Sequence, residues 1–520
     1  MKNKKIDILI IGAGAAGSAA AWNLSKSNFK ITCLEQGDFN LKKINFDKNN
    51  DQEILKQNIF NINPNVRKLK SDYPINDKNS PISIANFNGV GGSTILYSGH
   101  YPRFHPSDFR LKSLDNIADD WPFSYDELEK YYNLNDRIMG VAGLQGDPAY
   151  PKIKKLLKPV KLGLMGQKIA KAFQKLKWHW WPSYSAFSLS GKGRSKVNTI
   201  NSVDEKYWPE AIKNGVNLKT KCRVIKIISN NKGKVTGAIY IDGNNNKKKI
   251  SASIVIVACS GIGTPRLLLN SANKFFPNGL ANSSGLVGKN LMLHPLGFAE
   301  GVFKENLNSS LGPKGCCIYS HQFYETNRKN NFKRGYTMQI LRGSGPIETS
   351  QFLKKLRKLP FGKNFHKNFL DYFNHTVSIG IICEDLPDSN NCIKIDKKIK
   401  DSDGMPGVKV NYRLSENTKK MLSHGLKNAK KVLEVAGAKS IITFGPVKHT
   451  GWHIMGTTKM GNNKKTSVVN ANGQSHDTKN LVIVDSSIFT TSSAVNPAST
   501  IQAIALKITD KIKKETRLFC

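Results

Sequence analysis

Residues 7–35 read DILIIGAGAAGSAAAWNLSKSNFKITCLE, and this stretch decides the fold. The apolar run 8–11 predicts a buried parallel strand, followed by an alanine-rich helix and a second strand over residues 30–34. A Gly-x-Gly-x-x-Gly pattern joins the first strand to the helix. Gly12 permits the tight turn, Gly14 lets the backbone approach a pyrophosphate, and Gly17 lets the helix pack closely on the strand.

The second strand ends at Glu35, at the spacing beyond Gly17 that dinucleotide sites use. A carboxylate there accepts hydrogen bonds from ribose hydroxyls and disfavours a 2′-phosphate. The helix start at Ala15 and Ala16 would face the phosphates with free N–H groups and the positive end of the helix dipole. The stretch therefore predicts a dinucleotide site, and FAD and NAD both stay open at this point.

Length and composition indicate a large folded protein. A chain of 520 residues is too long for one ordinary core, so we expect two domains or one very large α/β domain. No run approaches the ~20 apolar residues that a membrane span needs. The N-terminal apolar run follows three lysines, as in a signal peptide, but cleavage would destroy the glycine pattern, so we assign it to the mature protein.

The charge balance is strongly basic, with 79 Lys+Arg against 38 Asp+Glu and a net charge of +41. Such a charge is typical of proteins that bind nucleic acids or anionic membranes. The lysines are scattered, however, and Lys, Asn and Ile are abundant throughout, which favours compositional drift. We therefore expect no nucleic-acid partner, and peripheral association with an anionic membrane is the main alternative. The Lys- and Asn-rich stretches 47–51 and 243–249 are predicted surface loops.

The eight cysteines and eleven histidines do not form a recognisable metal motif. No Cys-x-x-Cys occurs, which indicates reduced, structural thiols in a cytoplasm-like compartment. His449 and His453 have the spacing of a zinc pair, but Gly445, Pro446 and Gly451 oppose a long helix there. We predict no metal site, and residues 401–407 are predicted as a turn because they lack the glutamate of a calcium loop.

Four later parts of the chain carry further signals. They are residues 88–94 (NGVGGST), residues 254–269, residues 453–457 (HIMGT), and the strand 481–485 followed by residues 496–500 (NPAST). In the second of these, a strand over residues 254–258 precedes a turn over residues 261–269, in which Pro265 is placed to start a helix. These segments, in this order and over nearly the whole chain, resemble the glucose–methanol–choline (GMC) family of FAD oxidoreductases. The resemblance is closest to its bacterial branch of gluconate and sorbitol dehydrogenase-like flavoprotein subunits.

The resemblance implies an α/β fold, α+β overall, in which a Rossmann-type FAD-binding domain is joined to a discontinuous antiparallel-sheet substrate domain. We expect the FAD-binding domain to comprise residues 1–145, 200–296 and 450–520, and the substrate domain residues 146–199 and 297–449. Residues 376–381, 392–395 and 408–412 are predicted antiparallel strands of one sheet that covers the flavin.

The resemblance also implies the residues that contact FAD. Relatives with covalent FAD attach it through a histidine at the position of Leu96, so FAD is expected to be non-covalent here. The residues themselves predict a C-terminal helix with Asn496 as N-cap and Pro497 at its first position. The implied cofactor-binding residues are Gly12, Gly14, Ala15, Ala16, Gly17, Glu35, Gly91, Gly92, Ser93, Val224, Asp485, Pro497 and Thr500.

Alcohol oxidation needs a base that works near neutral pH, and histidine is the usual choice. The resemblance implies that His453 is this base and that Asn496 holds the substrate oxygen, while His294 is expected to be structural or next to the site. The predicted function is FAD-dependent oxidation of CH–OH groups in a sugar, polyol or other alcohol, with hydride transfer to flavin N5. A dehydrogenase is favoured and an oxidase stays open; the electron acceptor would be a partner subunit, a cytochrome or a quinone.

Two other functions are kept as alternatives. One is a lyase or photoenzyme that retains FAD on the same fold. The other is a basic surface-binding protein with a vestigial flavin site. The expected location is the cytoplasm, with peripheral attachment to a membrane open. The aromatic run 178–181 (WHWW) is interpreted either as a sugar-stacking platform or as a packed or membrane-facing anchor.

Overall fold

The computed structural model describes residues 5–39, 72–190, 197–312, 315–342, 345–355 and 362–520; the loop predicted at residues 47–51 lies outside these ranges. The described strands are β1 Ile6–Ile11, β2 Ile31–Leu34, β3 Ile75–Asn76, β4 Val141–Ala142, β5 Trp181–Pro182, β6 Ser185–Ser190, β7 Val197–Ile200, β8 Asn217–Lys219, β9 Arg223–Ser229, β10 Val235–Ile241, β11 Lys247–Val257, β12 Leu296–Val302, β13 Cys316–Phe323, β14 Tyr336–Leu341, β15 Thr376–Cys383, β16 Cys392–Lys400, β17 Pro406–Asn411, β18 Ser440–Phe444 and β19 Leu481–Ile483.

The described helices alternate with these strands in the N-terminal and C-terminal parts of the chain. They are α1 Ala15–Leu24, α2 Leu111–Asp115, α3 Tyr125–Met139, α4 Gly163–Leu176, α5 Val203–Lys206, α6 Trp208–Lys213, α7 Ser260–Asn270, α8 Pro346–Lys355, α9 Phe365–Leu370, α10 Glu416–Val435 and α11 Ala498–Lys514.

The largest sheet has a parallel centre in the order β8-β2-β1-β11-β19. Residues 8–11 of β1 are almost completely buried, as the uninterrupted apolar run predicts. The first part of β11 continues into an antiparallel ladder with β10 and β9. Helices α1 and α11 pack together, and Asn23 donates to the Leu506 carbonyl between them. The strand–turn–helix–strand unit read from residues 7–35 is therefore confirmed.

A second, antiparallel sheet has the order β18-β12-β15-β14-β13-β5. Apolar side chains of β15, including Ile379 and Ile381, pack against Met421 and Leu433 of α10 in a core of their own. The α/β fold class with a separate antiparallel sheet is confirmed. The exact division into the two predicted domains stays a prediction.

One sheet prediction was wrong in its grouping. Strand β15 belongs to the six-stranded sheet, whereas β16 and β17 form a separate three-stranded sheet with β3, to which β17 runs parallel. The turn between β16 and β17 contacts strand β9 of the largest sheet, because Asp401 and Asp403 form ion pairs with Arg223 at the start of that strand. This turn therefore has its carboxylates neutralised by protein groups.

Two predicted helix starts were also wrong. Helix α7 begins at Ser260, five residues before Pro265; the Gly261 carbonyl, which a proline cannot bond, accepts from Thr457 Oγ1 at 2.8 Å instead. Helix α11 begins at Ala498 with Pro497 as N-cap, because the side chain of Asn496 is engaged in other hydrogen bonds.

The surface loop and the cysteines agree more closely with the predictions from the sequence. The predicted loop 243–249 is the turn between β10 and β11, although its last three lysines already belong to β11. All eight cysteines are free thiols. Among the described residues, no helix is long and apolar enough to cross a membrane.

Candidate active site

The first turn after β1 has the close contacts that its glycines predict. Gly12 has a φ of +101°, and a Cβ on Gly17 would overlap the Gly12 carbonyl oxygen. Gly14 differs, because a Cβ there would meet only Gly92 Cα at 3.6 Å, an ordinary contact. Protein packing therefore requires glycine at positions 12 and 17, whereas the open space at Gly14 belongs to a cavity that this residue lines.

This cavity encloses about 1110 Å³ of space, including a part open to solvent. The N-terminal turn of α1 has no side-chain cap and lies at its wall. The predicted cofactor residues that line the cavity are Gly12, Gly14, Ala15, Ala16, Glu35, Gly92, Ser93, Val224 and Asp485.

Four predicted cofactor residues do not line this cavity and have structural contacts instead. Gly17 packs on Gly12, and the N–H of Gly91 donates to the Ala13 carbonyl at 3.0 Å. Pro497 caps α11. The Thr500 hydroxyl lies 2.7 Å from the hydroxyl of Tyr132.

Glu35 connects the first turn to strand β9. Its carboxylate accepts from the N–H groups of Ala13 at 2.8 Å and Gly37 at 2.9 Å, and its carbonyl accepts from the N–H of Cys222. Val224 follows two residues later and lines the same cavity. The structure thus brings Glu35, which is predicted to contact the ribose, and Val224, another predicted cofactor residue, to the same cavity.

Asp485 organises another part of the cavity wall. Its carboxylate accepts from the Thr264 hydroxyl at 2.5 Å and from the N–H groups of Ser260 and Ser487 at 3.1 and 2.9 Å. Burial raises the pKa of this carboxyl. The Ser260 hydroxyl is buried and has no hydrogen-bond partner among the described residues. A buried polar group of this kind at a cavity wall fits a polar ligand.

The predicted catalytic pair is brought together from positions 43 residues apart. Asn496 Nδ2 lies 3.3 Å from His453 Nε2, and both residues are partly buried. Trp452 and Ile454, on either side of His453, line the cavity. The pair therefore lies at the edge of the cavity that the dinucleotide motif also lines.

Hydrogen bonds behind His453 assign its tautomer. His294 Nε2 lies 3.2 Å from the Ser492 carbonyl, which can only accept, so this nitrogen carries the proton. His294 Nδ1 then has a lone pair and accepts from His453 Nδ1, 2.8 Å away. With its proton on Nδ1, neutral His453 presents the lone pair of Nε2 toward Asn496.

Gln339 orients Asn496, the other half of the pair, and no sequence motif pointed to it. Its Nε2 donates to Asn496 Oδ1 at 2.7 Å, which leaves Asn496 Nδ2 directed at His453. Gln339 lies on β14 of the antiparallel sheet, far from any motif. A buried glutamine in a strand is ordinarily a structural residue, so its role depends on tertiary structure.

Both histidines are neutral at pH 7. Burial lowers the pKa of His453 well below its usual value, and the nearby His294 acts in the same direction. Burial also lowers the pKa of His294 to about 4. A neutral imidazole with an unprotonated nitrogen can accept a proton, which is what a general base must do.

Two further sequence interpretations concern His449 and the aromatic run 178–181. His449 is exposed in a turn, and the described residues contain no group of three metal-ligating side chains. The Trp178 ring packs edge-on against Phe323 with centroids 5.0 Å apart, and Trp181 Nε1 donates to the Leu144 carbonyl. These contacts support the packing interpretation of the aromatic run.

A cavity that begins at the dinucleotide motif and ends beside a histidine–asparagine pair is the arrangement expected of an oxidoreductase with a nucleotide cofactor. The chain belongs to the GMC oxidoreductase family: two family models with that description match residues 6–296 and 387–505. It is accordingly a flavoprotein oxidoreductase that acts on CH–OH groups of alcohols or sugars, and its family implies FAD.

Named relatives span the full chain. It is 39% identical to a 2-methyl-1,2-propanediol dehydrogenase from Mycolicibacterium austroafricanum, over 98% of this chain and 95% of the relative. It is 27% identical to a fructose dehydrogenase large subunit from Gluconobacter japonicus, over 98% of each. Pyridoxine 4-oxidase from Mesorbium loti has a TM-score of 0.64 at 16% identity over 98% of this chain and 99% of that one; this likeness shows the fold alone.

Proposed function

We propose that this protein is an FAD-dependent dehydrogenase of small alcohols, with His453 as the base and short 1,2-diols as the first substrates to test. The observation that carries the proposal is the unprotonated Nε2 of His453, which faces the Asn496 amide at the edge of the cavity. The diol is suggested by the substrate named for the relative that is 39% identical.

The residues of the pair divide the work on the substrate hydroxyl. His453 Nε2 accepts the hydroxyl proton, because its Nδ1 is already protonated and held by His294. Asn496 Nδ2 donates a hydrogen bond to the substrate oxygen and stabilises the negative charge that develops there. Bound FAD supplies the acceptor for the hydride that leaves the carbinol carbon.

The cofactor would be held without a covalent bond. Leu96, at the position of the attachment histidine in covalent relatives, is an apolar side chain without a nucleophile. The N-terminal turn of α1 and Gly14 would hold the pyrophosphate, Glu35 the ribose, and Asp485 the ribitol end.

For the electron acceptor, the proposal names only a class of partner. We favour a dehydrogenase that passes electrons to a quinone, a cytochrome or a partner subunit, because two named relatives are a fructose dehydrogenase large subunit and a gluconate 2-dehydrogenase flavoprotein. A cytoplasmic location is also part of the proposal, supported by the eight free thiols.

Anaerobic mixing of the purified yellow protein with a panel of alcohols tests this function. We expect short 1,2-diols to bleach the flavin absorbance and a tertiary alcohol, which has no carbinol hydrogen, to leave it unchanged. A lyase or photoenzyme would show no bleaching with any CH–OH donor. Colourless protein that cannot be reconstituted with FAD would indicate the vestigial site. Turnover with oxygen compared with a dye acceptor then separates oxidase from dehydrogenase.

His453→Ala tests the assignment of the base. Loss of a general base is expected to lower kcat by roughly 10²–10⁴-fold while the flavin spectrum is retained. The matched control is His449→Ala, which removes an exposed histidine four residues away and is expected to keep full activity. Full activity of the His453 variant would exclude this residue as the base.

A further inference from the structure

One part of the surface combines positive charge with exposed leucines. Residues 148–190 contain nine lysines and no aspartate, glutamate or arginine, whereas the chain as a whole has 38 acids to 79 basic residues. The side chain of Lys168 pairs with Glu305. None of the other eight lysines forms an ion pair with a carboxylate in the described ranges. The local charge is therefore not cancelled by its own segment.

Four exposed leucines lie at this segment: Leu144, Leu157, Leu164 and Leu311, with 42%, 49%, 53% and 65% of their area accessible. The N–H of Leu157 donates to the Val141 carbonyl, which places it beside the strand that ends just before Leu144. The Arg342 guanidinium donates to the Lys161 carbonyl and also lies against Gly312, next to Leu311. These contacts place Leu157 near Leu144, and Leu311 near the start of α4, where Leu164 lies. We call these four leucines and the intervening lysines the basic apolar surface.

Helix α4 shows how the two kinds of side chain come to share this surface. Its inner face packs Ile169 and Phe173 into the core of the antiparallel sheet. On its outer face Leu164, Lys171 and Lys175 are exposed. The outer face of this surface helix therefore places an exposed leucine among lysines.

We propose that the basic apolar surface binds the headgroup region of an anionic lipid bilayer. Lysine side chains reach lipid phosphates while their methylene stems lie beside the apolar leucines, which enter the interface. An acidic protein surface would match the lysines but would leave four leucines without an apolar counterpart, so the bilayer is the better match.

Flotation of the FAD-loaded protein with phosphatidylglycerol-containing vesicles, compared with pure phosphatidylcholine vesicles, tests the proposal. We expect binding to the anionic vesicles, and a loss of about 100-fold in affinity for the variant Lys154→Glu/Lys155→Glu/Lys158→Glu. The double variant Leu157→Ser/Leu164→Ser is expected to bind at least tenfold more weakly, because its lysines are retained but its apolar insertion is lost.

Matched control variants distinguish binding at this surface from a general effect of the protein's positive charge. Lys394→Glu/Lys397→Glu/Lys398→Glu makes the same charge change on the exposed side of β16, and Leu114→Ser/Leu518→Ser removes two leucines exposed elsewhere. Both controls are expected to bind as wild type does. The proposal is overturned if wild type ignores anionic vesicles or if the β16 control weakens binding as much as the surface variant. Unchanged binding of the Leu157/Leu164 variant would also overturn it and would indicate purely electrostatic docking, as on an acidic protein.

Discussion

His294 Nδ1 lies 2.8 Å from His453 Nδ1, and the two imidazoles meet edge to face with centroids 4.8 Å apart. Because the Ser492 carbonyl holds the proton of His294 on Nε2, one backbone oxygen decides which nitrogen of His453 can act as base. His294 is thus a positioning residue for the proposed base, and the predictions below begin with it.

Replacing His294 should reduce turnover without removing FAD. His294→Leu deletes the acceptor for His453 Nδ1–H, so the imidazole loses its fixed tautomer and orientation, and we expect kcat to fall about 100-fold. His294→Gln has an amide oxygen to accept from His453 and an amide N–H to donate to Ser492, so most of the activity should return. Stopped-flow reduction of the flavin measures both. Equal activity in the two variants would show that hydrogen bonding at this position is not what matters.

Gln339→Met should weaken catalysis through Asn496. Methionine fills the same volume but cannot donate, so the buried Asn496 oxygen loses its partner and the amide is free to rotate. An unsatisfied buried acceptor costs about 1–3 kcal/mol, which corresponds to a kcat/KM that is lower by roughly five- to 150-fold. Thr337→Val, on the same strand, is the control, since the buried Thr337 hydroxyl has no partner among the described residues. Similar losses in both variants would assign the effect to the strand rather than to Asn496.

The lowered pKa of His294 predicts a pH-dependent stability difference. Below about pH 6.5 the unfolded chain protonates this histidine while the folded chain, with a pKa of about 4, does not, so its contribution to stability is lost as the pH falls. Asp108 and Asp385 act in the opposite direction, because burial raises the pKa of both carboxyls, that of Asp385 to about 7. The comparison with His294→Gln isolates the histidine.

Urea unfolding of wild type and the His294→Gln variant at pH 7.5 and pH 5 measures this difference. Between these pH values the variant should gain about 2 kcal/mol relative to wild type, since glutamine at position 294 binds no proton on unfolding. A stability gap that is the same at both pH values would contradict a lowered pKa at this site.

Two glycines of the first turn should respond differently to alanine. Gly14→Ala has room for its Cβ in the folded protein but occupies cavity space, so we expect near-normal thermal stability and weak FAD binding. Gly17→Ala would drive its Cβ into the Gly12 carbonyl and should destabilise the fold by about 1–3 kcal/mol. Thermal unfolding and FAD titration of the apoprotein measure both effects. Normal FAD affinity in the Gly14 variant would place the pyrophosphate elsewhere.

Local sequence patterns predicted much of the fold and of the candidate site. The turn from β1 into α1, the acid at Glu35 and the pairing of His453 with Asn496 were all named from motifs. The predictions that were wrong concern groups whose partners are distant. Pro265 was expected to start a helix, but a threonine nearly 200 residues away satisfies the carbonyl that it frees. Asn496 was expected to cap a helix, but Gln339 and His453 engage its side chain first.

The sequence by itself determined the dinucleotide turn, because glycine positions, an apolar strand and a terminal acid act over a few residues and need no other part of the chain. Tertiary structure alone decided which nitrogen of His453, the proposed base, is left unprotonated. That property depends on His294, Ser492 and Gln339, which come from separate loops and a second sheet. Hydrogen bonds of 2.7–3.3 Å between them exist only once both sheets are packed, and the same packing buries the imidazoles and keeps them neutral.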